Sequence, residues 1–169
     1  MFFTWRVLLD LIIAAIIYYK FFYPKWSQYS KFDFILRNVF YIYMVIVIAL
    51  TLMPIAASLP TIFSIQYKPM NHWAFSDIVQ GYGSYYKQIF LNVLMMVPFG
   101  FFLRYIKGYN LIKVVTYSFT FSLLIELVQP LLIGGRISDI TDIITNTIGG
   151  IIGYLIASYI LKLEQKREN

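Results

Sequence analysis

Charged residues are absent from four long stretches of the chain: between Arg37 and Lys68, Lys87 and Arg104, Lys113 and Glu126, and Asp142 and Lys162. A helix that crosses a bilayer needs about 20 mostly apolar residues. Together with the apolar N-terminal stretch, the four gaps predict five such helices, at roughly 5–22, 38–56, 87–104, 112–132 and 142–161. The second gap is too long for one helix. Pro54 and Pro60 predict a stop near Pro54, followed by an irregular or interfacial piece. Arg6 ahead of an apolar run resembles the opening of a signal peptide, but no A-x-A-like site follows at a sensible distance, so the first span is read as a retained helix. No repeat, low-complexity tract or domain boundary interrupts the pattern, and residues 1–169 are read as a single integral membrane domain. The longest polar stretch, from Thr61 to Lys87, is long for a connection and points to a functional or interfacial role.

Composition strengthens the membrane reading. The chain is 60% hydrophobic and 13% charged, with a mean hydropathy of +0.69, whereas soluble domains are about half apolar and about a quarter charged. A water-soluble globule, a disordered chain and a nucleic-acid binder are excluded on these grounds. The net charge of +6 falls between the spans, where it sets orientation. Lys20, Lys25, Lys31 and Arg37 oppose only Asp33. Arg104, Lys107 and Lys113 have no acid among them, and Lys162, Lys166 and Arg167 face Glu164 and Glu168 in the tail. These three basic segments are expected in the cytoplasm. The expected fold is therefore an all-α membrane protein, a bundle of about five transmembrane helices with the N-terminus outside and the C-terminus cytoplasmic. Aromatic groups such as Tyr18, Tyr19, Phe22 and Tyr23 mark the boundaries, as rings at the headgroup level do. Cysteine is absent, which excludes disulfides, thiolate metal sites and thiol nucleophiles.

The informative residues are polar ones at apolar depth. Glu126 is expected about 20 Å above Lys113, Asn92 about 18 Å above Arg104 and Asn146 about 24 Å above Lys162, at about 1.5 Å of rise per residue. All three fall in the outer half of a core about 30 Å thick. Arg136, Asp139 and Asp142 follow just above. If the last helix begins near Ser138, then Asp139, Asp142 and Asn146 share a sector of about 60°, and Gly150 and Gly153 continue that stripe. Ser118, Ser122, Glu126 and Gln129 share one side of the fourth helix. The bland readings are interhelical glue for Asn92, Gln129 and Asn146, packing for Gly149 and Gly153, and a helix N-cap for Asp139. A purely structural Glu126–Arg136 pair belongs with them. Glu126 resists a bland account, because a carboxylate at that depth costs about 2.5–3.5 kcal/mol on insertion scales. Arg6 and Asp10, four apart, are expected to pair on the first helix. His72, the only histidine, cannot build a histidine metal site alone.

The same residues resemble a known family. Asn92 followed by Pro98-Phe99-Gly100, then Ser122, Ile125, Glu126 and Gln129, then Gly135-Arg136, Asp139, Asp142, Asn146, Gly149 and Gly153 are similar to the motif blocks of the VanZ-like family of bacterial integral membrane proteins. Leu50-Thr51-Leu52-Met53-Pro54 is similar to the end of an earlier family helix. The resemblance covers roughly 45–160 and leaves the N-terminal helix aside. It implies a multi-pass protein of the bacterial plasma membrane and, through the family's namesake, an accessory role in resistance to the lipoglycopeptide teicoplanin.

Three functions follow. The first is a non-catalytic protein with an outer-leaflet polar pocket for a lipid-tailed or cell-wall-related ligand, its partners being membrane lipids, a lipoglycopeptide or a lipid-linked wall precursor and not nucleic acid. The polar cluster Asn92, Glu126, Gln129, Arg136, Asp139, Asp142 and Asn146 would line it, with Arg136 meeting an anionic group. The alternative is an intramembrane enzyme acting on a lipid or lipid-linked precursor, with Glu126 as the candidate catalytic acid/base. No cofactor is called for in the first reading; in the second, Asp139 and Asp142 would hold a divalent cation. Transport ranks third, because the polar path fades inward through Ser122 to Ser118.

Overall fold

The computed structural model describes residues 5–65, 67–76, 84–132 and 137–168. Seven α-helices are found among them: α1 (Trp5–Ile17), α2 (Tyr23–Trp26), α3 (Lys31–Thr51), α4 (Ile55–Ser58), α5 (Tyr85–Lys107), α6 (Leu111–Leu132) and α7 (Ile140–Glu168). A π turn, Tyr18–Phe22, carries α1 into α2, and a 3₁₀ turn, Leu59–Ser64, follows α4. No strand occurs among the described residues. Five helical stretches are long and apolar enough to span a membrane: Trp5–Trp26, Lys31–Ile62, Tyr85–Lys107, Leu111–Leu132 and Ile140–Arg167. The chain is an all-α, multi-pass membrane protein.

Local chemistry explains where these helices begin and end. The first passes the expected end at 22 because Pro24 sits in the opening turn of α2, where its missing N–H is tolerated. Helix α3 starts at Lys31 rather than 38. The Ser30 hydroxyl accepts from the Asp33 N–H at 3.2 Å and donates to the Asp33 carboxylate at 2.8 Å, so the polar segment before Arg37 is capped into the helix. Helix α5 ends at Gly108, whose φ of 63° is left-handed and whose N–H returns to the Arg104 carbonyl at 3.0 Å. Asn110 then opens α6, its side chain accepting from the Lys113 N–H at 3.0 Å.

Close contacts divide the chain into two compact units, residues 1–68 with 128–136 and residues 69–127 with 137–169. In the first, the buried Asp10 carboxylate accepts from the Ile55 and Ala56 N–H groups at 2.6 and 2.9 Å. The expected Arg6–Asp10 pair is not formed. Arg6 lies over the Trp5 ring instead, 5.7 Å from its centroid. The unpaired N–H groups that open α4 are the stronger call on a buried carboxylate than an exposed guanidinium. The Tyr41 hydroxyl donates to the Ala14 carbonyl at 2.7 Å, and that of Tyr18 donates to Asn38.

In the second unit, α5 packs along α7 through glycines. A Cβ on Gly100 would lie 1.9 Å from the Gly150 carbonyl oxygen, and one on Gly153 would lie 2.0 Å from that of Val97. The backbones touch, as small residues permit in membrane helix pairs. Polarity is inverted relative to a soluble protein: Ser118, Ser122, Glu126, Thr141 and Thr145 are buried, while Leu94, Leu124 and Leu155 are exposed. Hydrocarbon as the solvent demands this arrangement. Gly153→Ala should therefore destabilise the protein by about 1–3 kcal/mol, as overpacking does, and the loss should show in thermal unfolding of the detergent-solubilised chain. Ile152→Ala beside it, at a 37% exposed position, should stay within about 0.5 kcal/mol of the parent. Equal unfolding of both would mean that α5 and α7 do not touch through Gly153.

Candidate functional site

The start of α7 organises the polar residues of the second unit. Asp139 is the residue before the helix, and its Oδ1 accepts from the Thr141 N–H at 2.7 Å, which is an N-cap. Its Oδ2 accepts from the Asn71 side-chain amide at 3.2 Å. Its own N–H donates to Glu126 Oε2 of α6 at 2.9 Å. One residue earlier, the Ser138 hydroxyl donates to the Glu126 carbonyl at 2.5 Å. Glu126, only 4% exposed, is thus held at the N-terminal end of a helix, where backbone dipoles favour negative charge.

A second set of bonds lies further along α7. Asp142, in the first turn, accepts from the Asn92 amide of α5 at 2.7 Å and from the Gln88 amide at 3.3 Å. The Ser122 hydroxyl of α6 lies 3.5 Å from the Asp142 carbonyl oxygen and accepts from the Asn146 amide at 2.8 Å. Asn92, Glu126, Asp139, Asp142 and Asn146 are therefore brought together by three helices of one unit. Asn146 is 2% exposed, and its Oδ1 accepts no hydrogen bond among the described residues; the same holds for the fully buried Ser118 Oγ.

Two expected members need separate mention. Gln129 donates to the Thr51 carbonyl at 2.8 Å, within the first unit. Thr51 ends α3, and its carbonyl lacks an intrahelical partner, so the amide one turn beyond Glu126 is drawn there. Arg136, with Gly135, lies outside the described residues. The Asp139 and Asp142 oxygens accept from different N–H donors, and no group of three His, Asp or Glu side chains suited to a metal ion occurs among the described residues.

Sequence patterns did not single out Asn71. Its N–H donates to the Ser138 carbonyl at 2.8 Å, its carbonyl accepts from the Ile140 N–H at 3.2 Å, and its side chain holds both Ser76 and Asp139. The Phe75 N–H donates to the Thr141 hydroxyl at 3.0 Å. The length of the loop between Thr61 and Lys87 was the available signal, but its pairing with α7 spans 68 positions for Asn71 and Asp139, and no periodicity registers a contact of that range.

The comparisons with known proteins agree with the motif resemblance and extend it. Protein VanZ of Enterococcus faecium is 27% identical over 118 residues, covering 69% of this chain and 70% of that protein. No solved structure matches. The family model described as VanZ/LLP1 matches residues 7–162, reaching back through α1, well before the motif-bearing stretch from about 45. With nearly the whole chain matched, this protein belongs to the VanZ/LLP1 family.

Proposed function

We propose that the chain is a binding protein of the bacterial plasma membrane, with its N-terminus outside and its C-terminus in the cytoplasm. The second unit takes the polar end of a lipid-tailed or cell-wall-related ligand in an outer-leaflet pocket, and through it the protein contributes to tolerance of the lipoglycopeptide teicoplanin. One observation carries the reading: Asn146 Oδ1 is buried beside Ser122 with no donor among the described residues. Leaving such an atom unsatisfied costs about 1–3 kcal/mol. Interhelical glue would satisfy it, whereas an acceptor left without a protein donor in the same unit as Glu126, Asp142 and Asn92 suits a hydroxyl or amine of a bound molecule. Arg136 is the proposed partner for an anionic group. Family membership supports the link to tolerance.

An intramembrane enzyme acting on a lipid or lipid-linked wall precursor is the second reading. It is favoured by Glu126, a carboxylate 4% exposed in a spanning helix and oriented by the Asp139 N–H, as a general acid/base must be oriented.

Cells making Glu126→Gln or Asn146→Ala should lose their added teicoplanin tolerance at unchanged membrane levels of the protein. Leu127→Ala, at a 40% exposed position, should keep it. The same tolerance in all three variants would reduce the cluster to architecture, and turnover of a lipid precursor by the purified protein would transfer the role to the second reading. Orientation has its own check. A cytoplasm-active reporter fused after Asn169 should be on and one placed within 70–80 should be off; the reverse pattern would overturn the loop-charge argument.

A further inference from the structure

A groove of about 430 Å³ runs between α6 and α7 within the second unit. Phe119 and Leu123 line it from α6, Ile140, Ile144 and Ile148 from α7, and Met70 from the segment before α5. Its volume is in the range of small-ligand sites, about 300–1,000 Å³. From Ile140 to Ile148 it follows α7 for about 12 Å.

We infer that this groove seats one acyl chain of a membrane glycerophospholipid whose headgroup rests at Asn71 and Asp139. The inference deepens the binding reading above and rests on it. Three observations point to an acyl chain. The lining offers nothing to a polar group, since the hydroxyl of its one polar residue, Thr147, donates to the Ile143 carbonyl at 2.7 Å. A second copy's helix is a poor fit, because membrane helices approach through small residues and the groove has no Gly, Ala or Ser and a single Thr, Thr147. The glycines of α7 that could serve, Gly149, Gly150 and Gly153, are occupied by α5 and by Ser118. Finally, one end of the groove lies beside the polar cluster. Met70 and Ile140 line it, and the next residue from Met70, Asn71, bonds the residue before Ile140, Asp139. An amphiphile with its tail along Ile144 and Ile148 has its polar end at those two side chains.

Photolabelling tests this in vesicles of phosphatidylethanolamine and phosphatidylglycerol, the latter carrying a diazirine in mid-chain, with the full-length protein and residue-level mass spectrometry. Exposed positions provide matched controls. Phe119 and Ile148 are 47% and 42% exposed in the groove, and Leu124 and Ile152 are 53% and 37% exposed outside it. The expected result is several-fold more label at Phe119 and Ile148. Ile148→Trp should lower the label at Phe119 several-fold, and Ile152→Trp should leave it unchanged. If Ile148→Trp does not fold, the distribution on the parent protein decides. Label in proportion to exposure would show only the surrounding lipid and overturn the proposal, as would cross-links between two copies at Ile148 with no enrichment of lipid there. Labelling needs no tolerance phenotype, so the two readings separate. Enriched groove label with a tolerant Glu126→Gln strain removes the binding role of the cluster and keeps the groove, and uniform label with a sensitive strain does the reverse.

Discussion

A carboxylate inside a membrane span must be supplied with donors, and the second unit is organised around that need at Glu126. The cost of such a group, about 2.5–3.5 kcal/mol on insertion scales, falls when backbone N–H groups reach it. Here the Asp139 N–H does so at 2.9 Å. That single bond ties the middle of α6 to the first residue before α7. Asp139 in turn caps α7 with one oxygen and holds Asn71 with the other. The path of residues 69–76 across the start of α7 follows from the Asn71 and Phe75 bonds. A polar residue at apolar depth thereby positions a loop that carries no such constraint itself.

Helix α7 joins two devices on one side. Its acidic and amide residues, Asp142 and Asn146, meet Asn92 and Ser122. Its glycines, Gly149, Gly150 and Gly153, then let α5 and Ser118 approach to contact distance. Short side chains such as Asn and Asp can bridge helices only if the backbones are close, so the glycine stripe is a condition of the polar stripe above it. The remaining side of α7, rich in isoleucine, is left for hydrocarbon. That division of labour along one helix accounts for a polar cluster and an apolar groove lying next to each other in the same unit.

The helices were legible in the sequence because charge-free length is a local property, and five spanning stretches stand where the gaps in charge lie. The α7 stripe was legible for a related reason: Asp142 and Asn146 lie on one continuous helix, where angle follows from spacing, although the helix starts at Ile140 and leaves Asp139 before it as the cap. Family membership was readable from motif blocks beginning near 45, while the full match begins at residue 7, where no short motif marks it. What was not legible depends on partners far along the chain. Asp10 has Arg6 four residues before it, yet the open N–H groups of α4 take its carboxylate. Gln129 shares a face with Glu126, but its amide goes to the carbonyl that ends α3. In both cases an unsatisfied helix terminus outcompetes a neighbour on the same helix, and termini brought near by folding are invisible to a helical wheel.

The central claim is that the cluster around Glu126 and Asn146 is open to a ligand rather than closed on itself. An experimental structure of the protein in lipid nanodiscs tests it directly, at a resolution that shows ordered non-protein atoms. The account predicts density within about 3 Å of Asn146 Oδ1, the distance of a hydrogen bond, continuing past Asp142 toward the membrane surface. An Asn146 Oδ1 bonded to a protein donor, with no density in the cluster, would contradict it.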